Sequence, residues 1–263
     1  MDPSLEDAIA ARLEAMDRDR VIDRIWEGDH TVWSDHPQEV SDRLGWLRIQ
    51  REIGPRLQEF EALRRDVMAE GFQTALLLGM GGSSLAAEVM HQAFPDSDGL
   101  RLIVLDSTDP RQMADVEAQV DLARTLFIVS SKSGGTIETL SHLAYFWEKI
   151  PSGRHFIAIT DPGTHLEQVA RERGFRSVFP NYPEIGGRYS ALSCFGLVPA
   201  VLCGIDAGDL LEGAERIAGF CEPGIPARLN PGAWLGAALG EAALAGRDKL
   251  TLVLPPEIEL LGH

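Results

Sequence analysis

Lysine is nearly missing from this 263-residue chain: Lys132, Lys149 and Lys249 are the only three, and every other basic side chain is arginine. Basic charge as a whole is scarce, with 24 Lys and Arg against 40 Asp and Glu and a formal net charge of −16. Such a balance argues against nucleic acid and anionic membranes as general partners. No apolar run approaches the roughly 18 residues of a membrane-spanning helix. The acidic opening Met1-Asp2-Pro3-Ser4-Leu5-Glu6-Asp7 is not how a signal peptide begins, so a cytoplasmic location is expected. Cysteine is sparse and odd in number; Cys194, Cys203 and Cys221 show no Cys-x-x-Cys spacing and read as reduced thiols. Seven histidines carry no His-Glu-x-x-His or comparable spacing, so no metal site is expected. Repeats and low-complexity tracts are also missing.

What is present is a soluble globular composition, 44% hydrophobic and 24% charged, long enough for a large α/β core. Residues 1–70 read as helices: 7–18, 21–26 and 55–70, the last with Leu57, Phe60, Leu63 and Val67 on one face. Trp26, Trp33 and Trp46 fall in this segment and are expected to anchor its packing.

From Gln73 the pattern alternates. Short apolar runs at 74–78, 102–105, 126–130, 156–159 and 176–179 read as strands. Helical stretches at 83–94, 110–119, 136–149 and 164–173 separate them. Continuous apolar strands with helical crossovers imply a five-stranded parallel sheet covered on both faces, a three-layer αβα domain. After Asn181 the chain turns helical again at 194–202, 207–220 and 232–245, then ends with an apolar run at 250–254.

Two glycine-rich turns punctuate the strands. The stretch Ser131-Lys132-Ser133-Gly134-Gly135-Thr136 sits between a buried strand and a helix, where unpaired N–H groups and the positive end of the helix dipole collect. Ser131, Ser133 and Thr136 offer hydroxyl donors, Gly134 and Gly135 let the backbone close around a guest, and Lys132 supplies a compact charge. A phosphate suits that turn; an ordinary Ser/Thr helix cap is the competing explanation. The second turn, Gly79-Met80-Gly81-Gly82-Ser83-Ser84, follows the first strand. With Asp106 ending the next strand it admits a dinucleotide-binding reading, although Ser84 stands where the third glycine of that fingerprint belongs. A strand order of 2-1-3-4-5 would bring both turns, with Gly81, Gly82 and Ser83, to the topological switch point.

These two turns, followed by Gly186-Gly187-Arg188-Tyr189-Ser190, resemble three ordered signatures of phosphoglucose isomerase, within the sugar-isomerase (SIS) superfamily. With Thr31-Val32-Trp33 and Asp42-Arg43-Leu44-Gly45-Trp46-Leu47 upstream, the chain is most similar to the isomerase half of bacterial transaldolase/phosphoglucose isomerase fusions. The resemblance implies an SIS-type domain at 71–185, a helical segment at 1–70, a helical connection at 186–248 and the start of a second SIS domain at 249–263. It implies interconversion of glucose 6-phosphate and fructose 6-phosphate, with neither a redox cofactor nor a metal, and admits a homodimer. By that resemblance Ser131, Lys132, Ser133 and Thr136 hold the sugar phosphate, Ser83 faces the sugar, and Arg188 stabilises the enediolate. The family's general base, a glutamate in a Glu-Ser-x-Gly-Lys motif of the second SIS domain, has no match here; Glu138 and Glu184 do not correspond to it. The expectation is therefore a half-site that binds without turnover. A sugar-phosphate-binding sensor or regulator is the alternative.

Overall fold

The computed structural model describes residues 2–95 and 97–262. The chain opens with α1 (Pro3–Arg18), α2 (Val21–Glu27), the short α3 (Ile49–Glu52) and α4 (Leu57–Ala69). Asp2 caps α1 by accepting from the Ser4 N–H, with Pro3 as first helical residue, a position where its missing N–H costs nothing. The alternating portion runs β1 (Thr74–Gly79), α5 (Leu85–Ala93), β2 (Arg101–Leu105), α6 (Pro110–Ala118), β3 (Thr125–Ser130), α7 (Ile137–Lys149), β4 (Phe156–Thr160), α8 (His165–Glu172) and β5 (Ser177–Pro180). Three more helices follow: α9 (Cys194–Leu202), α10 (Ala207–Gly219) and α11 (Pro231–Leu244). No helix among the described residues is long and apolar enough to cross a membrane.

All five strands are parallel and lie in the order β2-β1-β3-β4-β5, as the sequence predicts. Because side chains alternate across a strand, the sheet feeds two cores. Ala75, Leu77, Leu126, Ile128, Ile157, Ile159 and Phe179 pack with α4, α5, α9 and α10 on one face. Leu76, Leu78, Phe127, Val129, Phe156 and Ala158 pack with α6, α7 and α8 on the other. Every residue of α9 is buried, so this helix lies inside the first core and not over it. A third, smaller cluster joins α1 to α11 through Ile9, Leu13, Ala233 and Ala237.

Two expectations need correction. The apolar run 250–254, which reads as the opening strand of a second domain, forms no strand with the described residues, and its Val253 is 92% exposed. Instead of pairing with a sheet edge it leads into short turns over Pro256–Gly262 that lie along α5, where Gln92 donates to the Pro256 carbonyl and accepts from the Leu260 N–H. An apolar pattern specifies a strand only when a neighbour offers its backbone, and none among the described residues does. Of the three tryptophans expected to anchor packing, Trp46 does pack against the first core, but Trp33 does not. Trp33 is 49% exposed, Trp26 donates its indole N–H to the Cys221 carbonyl, and Trp46 stacks on Tyr189. Cys194 and Cys203 are buried free thiols, and Cys221 is half-buried.

Candidate functional site

Strands β1 and β3 are neighbours, with Gly79 in register with Ser130, so the turns that leave them emerge side by side. This is the place where the direction of winding reverses in an open α/β sheet, and where such sheets leave a crevice. After β1 the backbone passes Gly81, in the left-handed region at φ +52°, through a single turn over Gly81–Ser83 before α5 begins at Leu85. The helix expected from Ser83 therefore starts two residues later, because the glycines continue as a turn. The Ser130 hydroxyl donates to the Ser83 carbonyl at 2.7 Å and pins this turn to β3.

The turn after β3 is folded on itself. Ser131, 1% exposed, donates its N–H to the Ile159 carbonyl, and its Oγ lies 2.9 Å from Thr136 Oγ1. Gly134 sits at φ +64° against Thr164, where a Cβ would lie 2.5 Å from that side chain. Ser133 and Gly135 are exposed at the crown. Thr136 occupies the N-cap position of α7, yet its side chain caps nothing: it is turned to Ser131, and α7 begins without a side-chain cap. In this respect α7 is like α2, α3, α4 and α5, which also begin without a side-chain cap. An ordinary Ser/Thr cap would have its oxygen on the helix N–H groups, as Asp109 does for α6. Here the N–H groups of the first turn of α7 are left to a ligand or to water.

Lys132 lies in the same turn, but its ammonium is engaged elsewhere: it donates to Asp161 Oδ2 at 2.5 Å and to the Pro183 carbonyl at 2.8 Å.

The third segment closes against the first. Ser190 donates to the Gly82 carbonyl at 2.9 Å, and Gly187–Tyr189 forms a single turn beside the Gly81–Ser83 turn. Arg188 projects from it, exposed, with no hydrogen bond or ion pair among the described residues. At the opposite, N-terminal end of the strands, arginines are committed to structure: Arg154 and Arg176 share Glu70, and Arg176 foremost holds that carboxyl down at about 2. An arginine left unpaired where three glycine-bearing turns meet is available for an anion or a developing negative charge.

The structure thus brings Gly81, Gly82, Ser83, Ser131, Lys132, Ser133, Gly134, Gly135, Thr136 and Arg188 to one end of the sheet. Three supports escaped the sequence reading. Asp161 follows β4 and pairs with Lys132; its position after an apolar strand was the available signal. Thr164 packs under Gly134, and nothing in the sequence marks that contact. The segment around Gly45 supports the Arg188 turn: Leu44 bridges Ile185, the Gly45 N–H donates to the Glu184 carbonyl, and Trp46 stacks on Tyr189 with ring centroids 5.1 Å apart.

A family model described as phosphoglucose isomerase matches residues 66–224, which include all three turns. The glucose-6-phosphate isomerase of Trichormus variabilis is 32% identical over 242 residues, covering 82% of this chain and 46% of that protein. The glucose-6-phosphate isomerase of Thermosynechococcus vestitus is 39% identical over 199 residues, 72% of this chain and 37% of that one. Among solved structures, a glucose-6-phosphate isomerase from Chlamydia trachomatis superposes with a TM-score of 0.62 at 30% identity, covering 84% of this chain and 41% of that one. A hypothetical protein from Thermus thermophilus gives a TM-score of 0.75 at 26% identity, covering 91% and 55%. The chain spans about half the length of the curated relatives it matches. With its sheet order, its three turns and this similarity taken together, the chain belongs to the phosphoglucose isomerase family.

Proposed function

We propose that residues 71–185, with the Arg188 turn that follows them, form the sugar-phosphate-binding, SIS-type part of a cytoplasmic glucose-6-phosphate isomerase, acting on glucose 6-phosphate and fructose 6-phosphate. One observation carries this reading: the turns after β1 and β3 and the Arg188 turn meet at the C-terminal end of the sheet, with the start of α7 uncapped by any side chain. The phosphate would be held by the Ser131, Ser133 and Thr136 hydroxyls and the first N–H groups of α7, with the helix dipole adding to the attraction. Gly81, Gly82, Gly134 and Gly135 leave the backbone open to the ligand, and Ser83 faces the sugar. In the reaction a proton moves between C2 and C1 through a cis-enediolate, and Arg188 stabilises the negative charge that develops on oxygen. No residue of 1–263 is assigned as general base, so turnover is proposed to need a base contributed from outside these residues. A well-placed base is typically worth about a hundred- to ten-thousandfold.

Calorimetric titration of the chain with fructose 6-phosphate and, separately, NAD tests the reading, together with a coupled assay for glucose 6-phosphate formation. Fructose 6-phosphate is expected to bind, NAD not, and turnover to stay far below the roughly 10 s⁻¹ of an ordinary enzyme. Binding of NAD with no binding of the sugar phosphate would overturn the site reading. Ordinary turnover would instead show a base within these residues.

A further inference from the structure

The Lys132–Asp161 pair ties together by side chain three segments that leave this end of the sheet. Lys132 belongs to the turn after β3 and Asp161 to the turn after β4, and their main chains also meet, the Asp161 N–H donating to the Lys132 carbonyl at 3.2 Å. The second bond of the ammonium, to the Pro183 carbonyl, reaches the strand-to-turn segment that leads into Gly186-Gly187-Arg188. The pair is largely shielded, with side chains 21% and 16% exposed, and the other carboxylate oxygen of Asp161 is buried without a partner among the described residues. A carboxylate in that position depends on its one cation.

Two consequences follow for an anion arriving at Ser131–Thr136. An ammonium already paired with a carboxylate presents almost no net charge to it. And a turn made of serines and glycines needs an external restraint if its donors are to be held in place before the ligand comes. We infer that Asp161 is a positioning residue: through Lys132 it braces the phosphate-binding turn and the Arg188 segment against each other, and Lys132 serves as that brace and not as the counter-charge of the phosphate. The inference rests on the sugar-phosphate reading of the site.

The two roles of Lys132 predict opposite signs for one nearly isosteric substitution. If Lys132 were the counter-charge, Asp161→Asn would release it and remove a nearby negative charge, and phosphate would bind as well or better. As a brace, Asp161→Asn should weaken fructose 6-phosphate and inorganic phosphate about tenfold. Lys132→Met should weaken them by a similar factor, and the double variant should again show about tenfold in place of a hundredfold, since both changes remove one coupled unit. Asp161→Glu should recover part of the loss. Ligand-free hydrogen exchange of the full chain should speed up at residues 131–136 and 183–188 together in Asp161→Asn. Thermal melts above the assay temperature separate this from unfolding, which Lys132→Met risks more because it strands the carboxylate. Affinity kept or raised in Asp161→Asn, additive losses, or exchange unchanged in both segments would overturn the brace. A wild-type chain that binds neither ligand would overturn the sugar-phosphate reading, while the exchange rates, measured without ligand, would still decide the brace.

Discussion

Gly82 and Gly187 meet backbone to backbone: a Cβ on Gly82 would lie 2.4 Å from the Gly187 carbonyl oxygen and 2.6 Å from its carbonyl carbon. Neither atom can swing aside as a side chain could. Gly82→Ala should therefore push the Arg188 turn away from the first glycine-rich turn. Overpacking of this kind typically costs about 1–3 kcal/mol. The expected result is a lower midpoint in thermal or denaturant unfolding and weaker fructose 6-phosphate binding. Gly135→Ala, where a Cβ meets nothing within 4 Å, is the matched control for stability.

Ser133 and Thr136 are expected to bear directly on the ligand. Removing one charge-assisted hydrogen bond to a phosphate costs about 1.5–3 kcal/mol, so Ser133→Ala or Thr136→Ala should weaken fructose 6-phosphate binding by roughly tenfold or more. Thr136→Ala also frees Ser131 Oγ, its partner at 2.9 Å. Titration of both variants, with unchanged circular dichroism, checks this; full affinity in both would remove the phosphate from this turn.

Arg188 contributes to no ion pair among the described residues, so Arg188→Ala should leave the unfolding free energy within about 0.5 kcal/mol. In an isomerase that includes a general base, Arg188→Lys should mainly lower kcat, because the guanidinium interaction strengthens as the enediolate forms. An effect on KM alone would make Arg188 a contact to the ground-state sugar or its phosphate.

His142 gives the fold a pH dependence of definite sign. Its side chain is fully buried on α7, with Nε2 2.9 Å from the Ser107 carbonyl, and burial pushes the imidazole below the usual value of 6.5. His91 is shifted the same way, again first by burial. A histidine held neutral in the fold contributes stability in full above about pH 6.5, and that contribution is lost as pH falls from there toward the lowered folded value. Each such group steepens the acid limb by up to about 1.4 kcal/mol per pH unit within that window. His142→Gln should flatten the change in unfolding free energy between pH 7 and pH 5; an unchanged slope would mean that the imidazole protonates without strain.

Strand order, the two buried faces and the meeting of both glycine-rich turns were legible because each rests on local pattern plus right-handed crossovers. Leu76, Leu77 and Leu78 are apolar on both sides of β1, as a strand covered twice must be. The turn after β3 was legible from its hydroxyls and glycines. What the Lys132 side chain does there was not, since Asp161 and Pro183 are neighbours only after β4 and β5 are in place. The segment 250–254 misleads for the complementary reason: its apolar pattern is that of a strand, but strand formation depends on a partner backbone that a pattern does not encode.

The bridge between Leu44 and Ile185 spans about 140 residues of chain. The segment that supports the Arg188 turn is thus synthesised before the sheet, and it has no partner until the whole sheet has been made. Pairings that close so long a loop form late, after the entropy of every intervening element has been lost. The sheet and the turn after β3 can be complete while Gly45, Trp46 and Tyr189 are still apart. By loop-closure entropy alone, the arginine end of the crevice is expected to assemble after the sheet.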